Sequence, residues 1–150
     1  MAELSANVAS LFLPLSDSAL ILPSVCVAEV VLARQLNAAI ASPFLLGTLS
    51  WREQEIPVIS FEGLRDGQQP ADLAMRQIAV INGLSRPEGL PFYGVALAAV
   101  PHVLRLASAD LQLLEGELPA ICHSRVSVEG REAIIPDCGV MENSLIEALQ

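Results

Sequence analysis

Residues 47–64, GTLSWREQEIPVISFEGL, decide how this chain reads. Gly47 opens a short apolar run that reaches Trp51, the polar tip Arg52-Glu53-Gln54 follows, and Glu55-Ile56-Pro57-Val58-Ile59 runs back. Two short apolar runs joined by a few polar residues predict a β-hairpin. Pro57 has no N–H for a ladder, so it predicts an edge strand or a bulge there. Arg52, at the tip of a stiff element, presents a planar guanidinium to a carboxylate on a partner. A rigid hairpin with an exposed arginine and an interrupted edge reads as a docking surface, not a catalytic one.

The same grammar repeats outward. Leu11–Leu15 and Ala19–Leu22 flank the turn residues Ser16-Asp17-Ser18, and Arg125–Val128 and Glu132–Ile135 flank Glu129-Gly130. Ile78–Ile81 ends at Asn82-Gly83, and Phe92–Ala98 follows a stretch, Ser85–Pro91, rich in Pro and Gly. Short strands with regular turns predict an all-β barrel or sandwich with minor α content. Val25–Arg34 suits either a short helix after Ser24 or a Val-rich strand. Ala71–Met75 admits one helical turn, and Arg65–Asp72 reads as a mobile connection. Met141, Leu145 and Leu149 fall at i, i+4 and i+8, which predicts a terminal helix docking one apolar stripe. At 150 residues the chain is expected to be one domain, 1–150, long enough to bury a real core.

Composition narrows the function classes. The hydrophobic fraction of 53% is high and the charged fraction of 17% low, which supports a globular domain with sizeable contact surfaces. The longest apolar run near the N-terminus, Ala19–Val31, is broken by Pro23, Ser24 and Glu29. That is too short to cross a bilayer, which needs roughly 20 predominantly apolar residues. No basic leader precedes it, the first basic residue being Arg34, so no signal peptide and a cytoplasmic location are expected. Cys26, Cys122 and Cys138 are an odd number without a pairing motif and read as reduced thiols. A net charge of −9 repels nucleic-acid backbones and anionic lipid, so neither is an expected partner.

The hairpin segment also carries a resemblance. Gly47, Arg52, Pro57 and Val58 resemble the signature of the CheW family of chemosensory adaptors: glycine, apolar strand, Arg-Gly, then Pro-Val-hydrophobic-Asp-Leu. Glu53 stands where that pattern has glycine, and Ser60-Phe61 where it has Asp-Leu. The Trp-Arg and Ile-Ser-Phe-Glu variants resemble the ChpC type, the CheW-like proteins of the type IV pilus chemosensory system. Val27-Ala28-Glu29-Val30 is similar to the family's Val-x-Glu-Val element. Gly94-Val95-Ala96-Leu97 and Val103-Leu104-Arg105-Leu106 resemble its later strand pair without the usual aspartate at position 98, and Val128–Asp137 resembles its closing hairpin.

The resemblance implies two interlocked five-stranded β-barrels like SH3 domains. The first would hold the N-terminal strands and the Gly47 hairpin and be completed near the C-terminus. It implies a non-catalytic adaptor, without cofactor, that joins the cytoplasmic tip of chemoreceptors to a CheA-type histidine kinase. Receptor tips are helical hairpins, and such a helix lies in an apolar groove, here one lined by Val27, Val30 and Val58. Kinase docking would use the Gly47–Ile59 hairpin and its neighbours. The departures at positions 53, 60 and 98 fit a changed partner set, such as one serving twitching motility.

Candidate chemistry elsewhere is sparse. Cys122-His123 is the one tempting nucleophile and base, and a small thiol-dependent hydrolase is the rival reading. Adjacent strand residues point to opposite faces, so a buried thiol beside an edge histidine is expected instead. Cys122, His123 and Cys138 lack metal-ligand spacing, so no metal is expected, and the nine glycines do not cluster into a phosphate loop. Glu53/Glu55 and Glu115/Glu117 read as solvated charge. Trp51 reads as core and Arg52 as interface, a residue type enriched at hot spots. Glu29 among valines is costly to bury unpaired. It either pairs with Arg52 across the first barrel or marks an apolar receptor groove.

Overall fold

In the computed structural model, residues 8–37, 42–68, 75–84 and 90–149 are described. Two sheets carry the fold. The first has the order β8-β1-β2-β11-β10-β9, built from Val8–Pro14 (β1), Ala19–Pro23 (β2), His102–Leu106 (β8), Gln112–Leu113 (β9), Cys122–Val128 (β10) and Arg131–Pro136 (β11). The second has the order β3-β6-β7-β5-β4, from Val27–Leu32 (β3), Leu45–Trp51 (β4), Gln54–Ile59 (β5), Gln77–Asn82 (β6) and Phe92–Leu97 (β7). Helices Phe61–Asp66 (α1) and Cys138–Ala148 (α2) complete the framework. The sixth strand of the first sheet is the two-residue β9, which pairs only at Val126↔Leu113 and Ser127↔Gln112.

Each sheet rolls around a core of its own. Leu106 of β8 and Leu111, just ahead of β9, pack with Phe12, Ile21, Val126 and Val128, so the ends of the first sheet meet around one cluster. In the second, Ala28 and Val31 of β3 pack with Leu49 and Trp51 of β4. A third cluster joins the two: Leu13, Leu20 and Ile134 from one sheet meet Ile59, Tyr93 and Leu97 from the other, closed by Met141 and Leu145 of α2. This shared core is the interlock that the expected pair of barrels requires.

The strand partition differs from expectation. The Gly47 hairpin lies in the second sheet, apart from β1 and β2, which join the C-terminal strands through the parallel contact Ile134↔Leu20. Three hairpins fall where the turn residues place them, with β1–β2, β4–β5 and β10–β11 antiparallel. Val25–Arg34 resolves into a 3-10 turn, Ser24–Cys26, followed by β3. The start of the expected mobile connection is helical: Ser60 caps α1 by accepting from the Gly63 N–H at 3.0 Å, and Gly67 ends it at φ 82°. Residues 69–74, including most of the helical turn expected at Ala71–Met75, lie outside the described residues. The terminal helix forms, with Met141 and Leu145 buried and Leu149 at its exposed end.

Pro57 is neither at a bulge nor on an edge strand. β5 runs between β4 and β7. Its partner Thr48 exchanges both backbone bonds with Asn37, at 2.9 and 3.0 Å, so Thr48↔Pro57 is a pair without mutual hydrogen bonds. On the other side the parallel ladder to β7 begins one residue later, at Val58↔Gly94. No ladder asks Pro57 for a donor. The Asn37 crossing also explains Gly47, whose φ of 151° and close approach leave no room for a Cβ against Asn37 O and, at 2.9 Å, Leu36 Cβ.

Candidate partner-binding surface

The β4–β5 turn is tighter than the three-residue tip read from the sequence, because Gln54 already pairs with Trp51. Arg52 and Glu53 alone make the turn, at φ 48° and 65°, both left-handed. That is the pattern of a type I′ hairpin, whose twist matches the strands it joins. It throws the Arg52 side chain back over Trp51, with the guanidinium carbon 4.4 Å from the ring centre. Trp51 packs in turn on Phe92, with ring centres 4.7 Å apart.

Glu29 ties this tip to the far end of the sheet. Its Oε1 accepts from Trp51 Nε1 at 2.9 Å and lies 3.4 Å from Arg52 Nη2. β3 and β4 are the first and last strands in the sheet order, so these two contacts fasten the seam where the rolled sheet closes. Of the two options open for Glu29, the internal pair with Arg52 is therefore present. The Arg52 side chain still shows 62% of its surface and Glu29 44%. A salt bridge so exposed contributes little stability, well under about 1 kcal/mol. What it fixes is direction.

Along β3, Val27 and Val30 are half-buried, packing on the shared core, while Ala28 and Val31 pack on the second sheet's own core. Val25 and Leu32, at the two ends of this strand, are largely exposed. Val58, expected on the groove wall, lies inside: it is fully buried with Leu49 and Ile56, and Pro57 beside it is buried too. Trp51 is core, as its ring contacts require. The structure thus brings Glu29 and Arg52 together over Trp51, while Val27 and Val30 of the same strand lean on the shared core and Pro57 and Val58 are buried.

Glu55 is exposed, as expected of a surface charge, but it is not simply solvated. It accepts from Asn37 Nδ2 at 2.9 Å, Thr48 Oγ1 at 2.6 Å and Ser50 Oγ. Those hydroxyl and amide donors, Ser50 first, hold its carboxyl below the usual range. Two buried acids escaped the reading of the sequence. Glu62 of α1 accepts from the Ser16 N–H at 2.7 Å, and Glu142 of α2 from the Leu84 N–H at 2.7 Å. The signal was there for Glu142, which shares the helix stripe of Met141 and Leu145.

The thiol-hydrolase reading finds no geometry. Burial pushes the Cys122 thiol up, and His123 is exposed with Nδ1 2.8 Å from Ser124 Oγ. Cys122 borders a cavity of about 290 Å³ together with Asp17, Arg65, Arg125 and Glu132, and His123 is not in its lining. Among the described residues no group of three or more His, Cys, Asp or Glu is placed to hold a metal, and no helix is long and apolar enough to cross a membrane.

Two rolled sheets sharing one core, with a glycine-opened hairpin at one seam, have a counterpart in sequence. The CheW-like domain pattern matches residues 10–143. The chain belongs to the CheW-like domain family. Among solved structures, the scaffolding protein TtCheW from Thermoanaerobacter tengcongensis shares the fold at a TM-score of 0.70 and 16% sequence identity, over 87% of this chain and 84% of that one. No curated protein matches the chain. As a CheW-like protein it is a non-catalytic scaffold of chemosensory signalling.

Proposed function

We propose that this CheW-like chain, acting as one domain over residues 1–150, couples the cytoplasmic tips of chemoreceptors to a CheA-type histidine kinase. It does so in the cytoplasm, within a type IV pilus system of the ChpC type that governs twitching motility. The observation that carries the docking roles is the clasp of Glu29, Trp51 and Arg52. A mostly exposed guanidinium is held by a ring and a carboxylate before any partner arrives, which lowers the ordering cost of binding. On the same strand as Glu29, the part-exposed Val27 and Val30 are the apolar residues along which a receptor helix would lie. Trp51 supports the Arg52 guanidinium from below, and Val58 packs in the same core cluster as Trp51. Signal passage then needs only different contacts to two receptor states, with no chemistry in the adaptor.

Titration calorimetry with a kinase regulatory domain and a receptor-tip hairpin tests this. Arg52→Ala is expected to weaken at least one of the two by about tenfold or more while the circular dichroism spectrum stays unchanged. Retention of neither partner by the wild-type chain would end the reading. For the pathway, a deletion strain should lose twitching and keep swimming, and the reverse outcome sinks the pilus assignment.

A further inference from the structure

Glu62 and Glu142 are the only charged side chains fully buried among the described residues. A carboxylate out of water is costly unless donors meet it. The strand order shows what these two hold. β8-β1-β2-β11-β10 and β3-β6-β7-β5-β4 are one arrangement made twice. In both, the first three strands pair antiparallel, the third meets the fourth in parallel, and the fourth and fifth form an antiparallel hairpin. A helix follows the fourth strand of each, α1 after β5 and α2 after β11. Each glutamate bonds to the sheet that its helix does not follow. Glu62 of α1 accepts from the Ser16 N–H at 2.7 Å, in the β1–β2 turn of the first sheet. Glu142 of α2 accepts from the Leu84 N–H at 2.7 Å, between β6 and β7 of the second. When the two sheets are matched, β1–β2 and β6–β7 are the same strand pair, so the two bonds are counterparts. The glutamates themselves stand second and fifth in their helices.

We infer that Glu62 and Glu142 are reciprocal latches, each fastening a turn or connection of one sheet to the helix that continues the other, and that together they fix how the two barrels sit. Apolar contact across the shared core is non-directional and does not by itself set an orientation. A hydrogen bond to a buried carboxylate has a direction, and it is strong where water is excluded. Both bonds are long-range, joining residues 46 and 58 positions apart, so neither belongs to the local capping of its helix. A scaffold that makes and breaks no covalent bond acts through geometry, and these two carboxylates give its barrels one fixed relation.

Amide hydrogen exchange of the full chain, followed residue by residue by NMR, is the test. Ser16 and Leu84 are exposed residues outside the strands, where amides ordinarily exchange fast. In the wild type both are expected to exchange about tenfold or more slowly than in an open chain. Glu62→Leu should release the Ser16 amide and leave protected both Leu84 and the β4–β5 hairpin that leads into α1. Glu142→Leu should release Leu84 and leave protected both Ser16 and the β10–β11 hairpin that leads into α2. If a leucine variant fails to fold, the glutamine variant at the same position, with a weaker neutral acceptor, should release the same amide alone to a smaller extent. Wild-type amides that are already open, variants that release neither amide, or either variant releasing both, which marks a general loss of stability, would each overturn the latch.

Discussion

Glu53 holds a left-handed backbone at φ 65° in a turn where the family pattern has glycine. A side chain in that region costs roughly 1–2 kcal/mol. Glu53→Gly is therefore expected to raise stability by about 1 kcal/mol, read as a shift of the urea midpoint at constant slope. At Gly47 the sign is opposite. A methyl group there meets Asn37 O and Leu36 Cβ, so Gly47→Ala should lose about 1–3 kcal/mol. At Gly94 an added Cβ would lie 2.8 Å from Ile78 Cγ2 and 3.1 Å from Val58 Cγ2, which explains why β7 is lean between two branched neighbours. Position by position, Gly47 and Arg52 were visible in the sequence because they open and tip one hairpin whose two strands are adjacent in the chain. Val58 misled because its burial is set by strands far along the chain.

At the scale of elements, α1 was the omission, and its cause is physical. Six residues, one of them Gly63, carry no helical period to detect. The helix rests on capping and tertiary contact. Ser60 accepts from the Gly63 N–H and lies 3.4 Å from Glu62 Oε1 as a donor, a dual role that an ionised aspartate at this position cannot fill. Ser60→Ala should cost about 1 kcal/mol and loosen Arg65 from Asp17, which it meets at 2.7 Å, seen as a lower thermal midpoint. The hairpins were legible for the converse reason. Their turns hold residues suited to left-handed or polar positions, such as Glu129-Gly130 at φ 50° and 80°. The pair of Glu29 with Arg52 is one of the two options the sequence leaves, since a carboxylate among valines demands a donor, whereas the Trp51 Nε1 donor is visible only in the structure. Its role in closing a rolled sheet depends on strand order, which local pattern does not carry.

For the whole molecule, the pair Asp17–Arg65 spans from the β1–β2 turn of the first sheet to α1, which follows β5 of the second. The Arg65 hydrogen bond holds the Asp17 carboxyl below its ordinary 3.8, and Arg65 does the same for Asp66. A carboxylate depressed by folding contributes stability above pH 3.8 that is lost as pH falls below it. Acid unfolding of the wild type should therefore steepen below about pH 4, and Asp17→Asn should flatten that limb and leave neutral stability little changed. The shared core has a further consequence. Every strand of the second sheet lies within residues 27–97, whereas the first sheet needs partners from both sides of that stretch. On the ribosome, the inner sheet can close as soon as residue 97 clears the tunnel, while the apolar β1–β2 hairpin waits with both outer edges open for β8 and β11, still being synthesised. A chaperone that meets this nascent chain should meet it there.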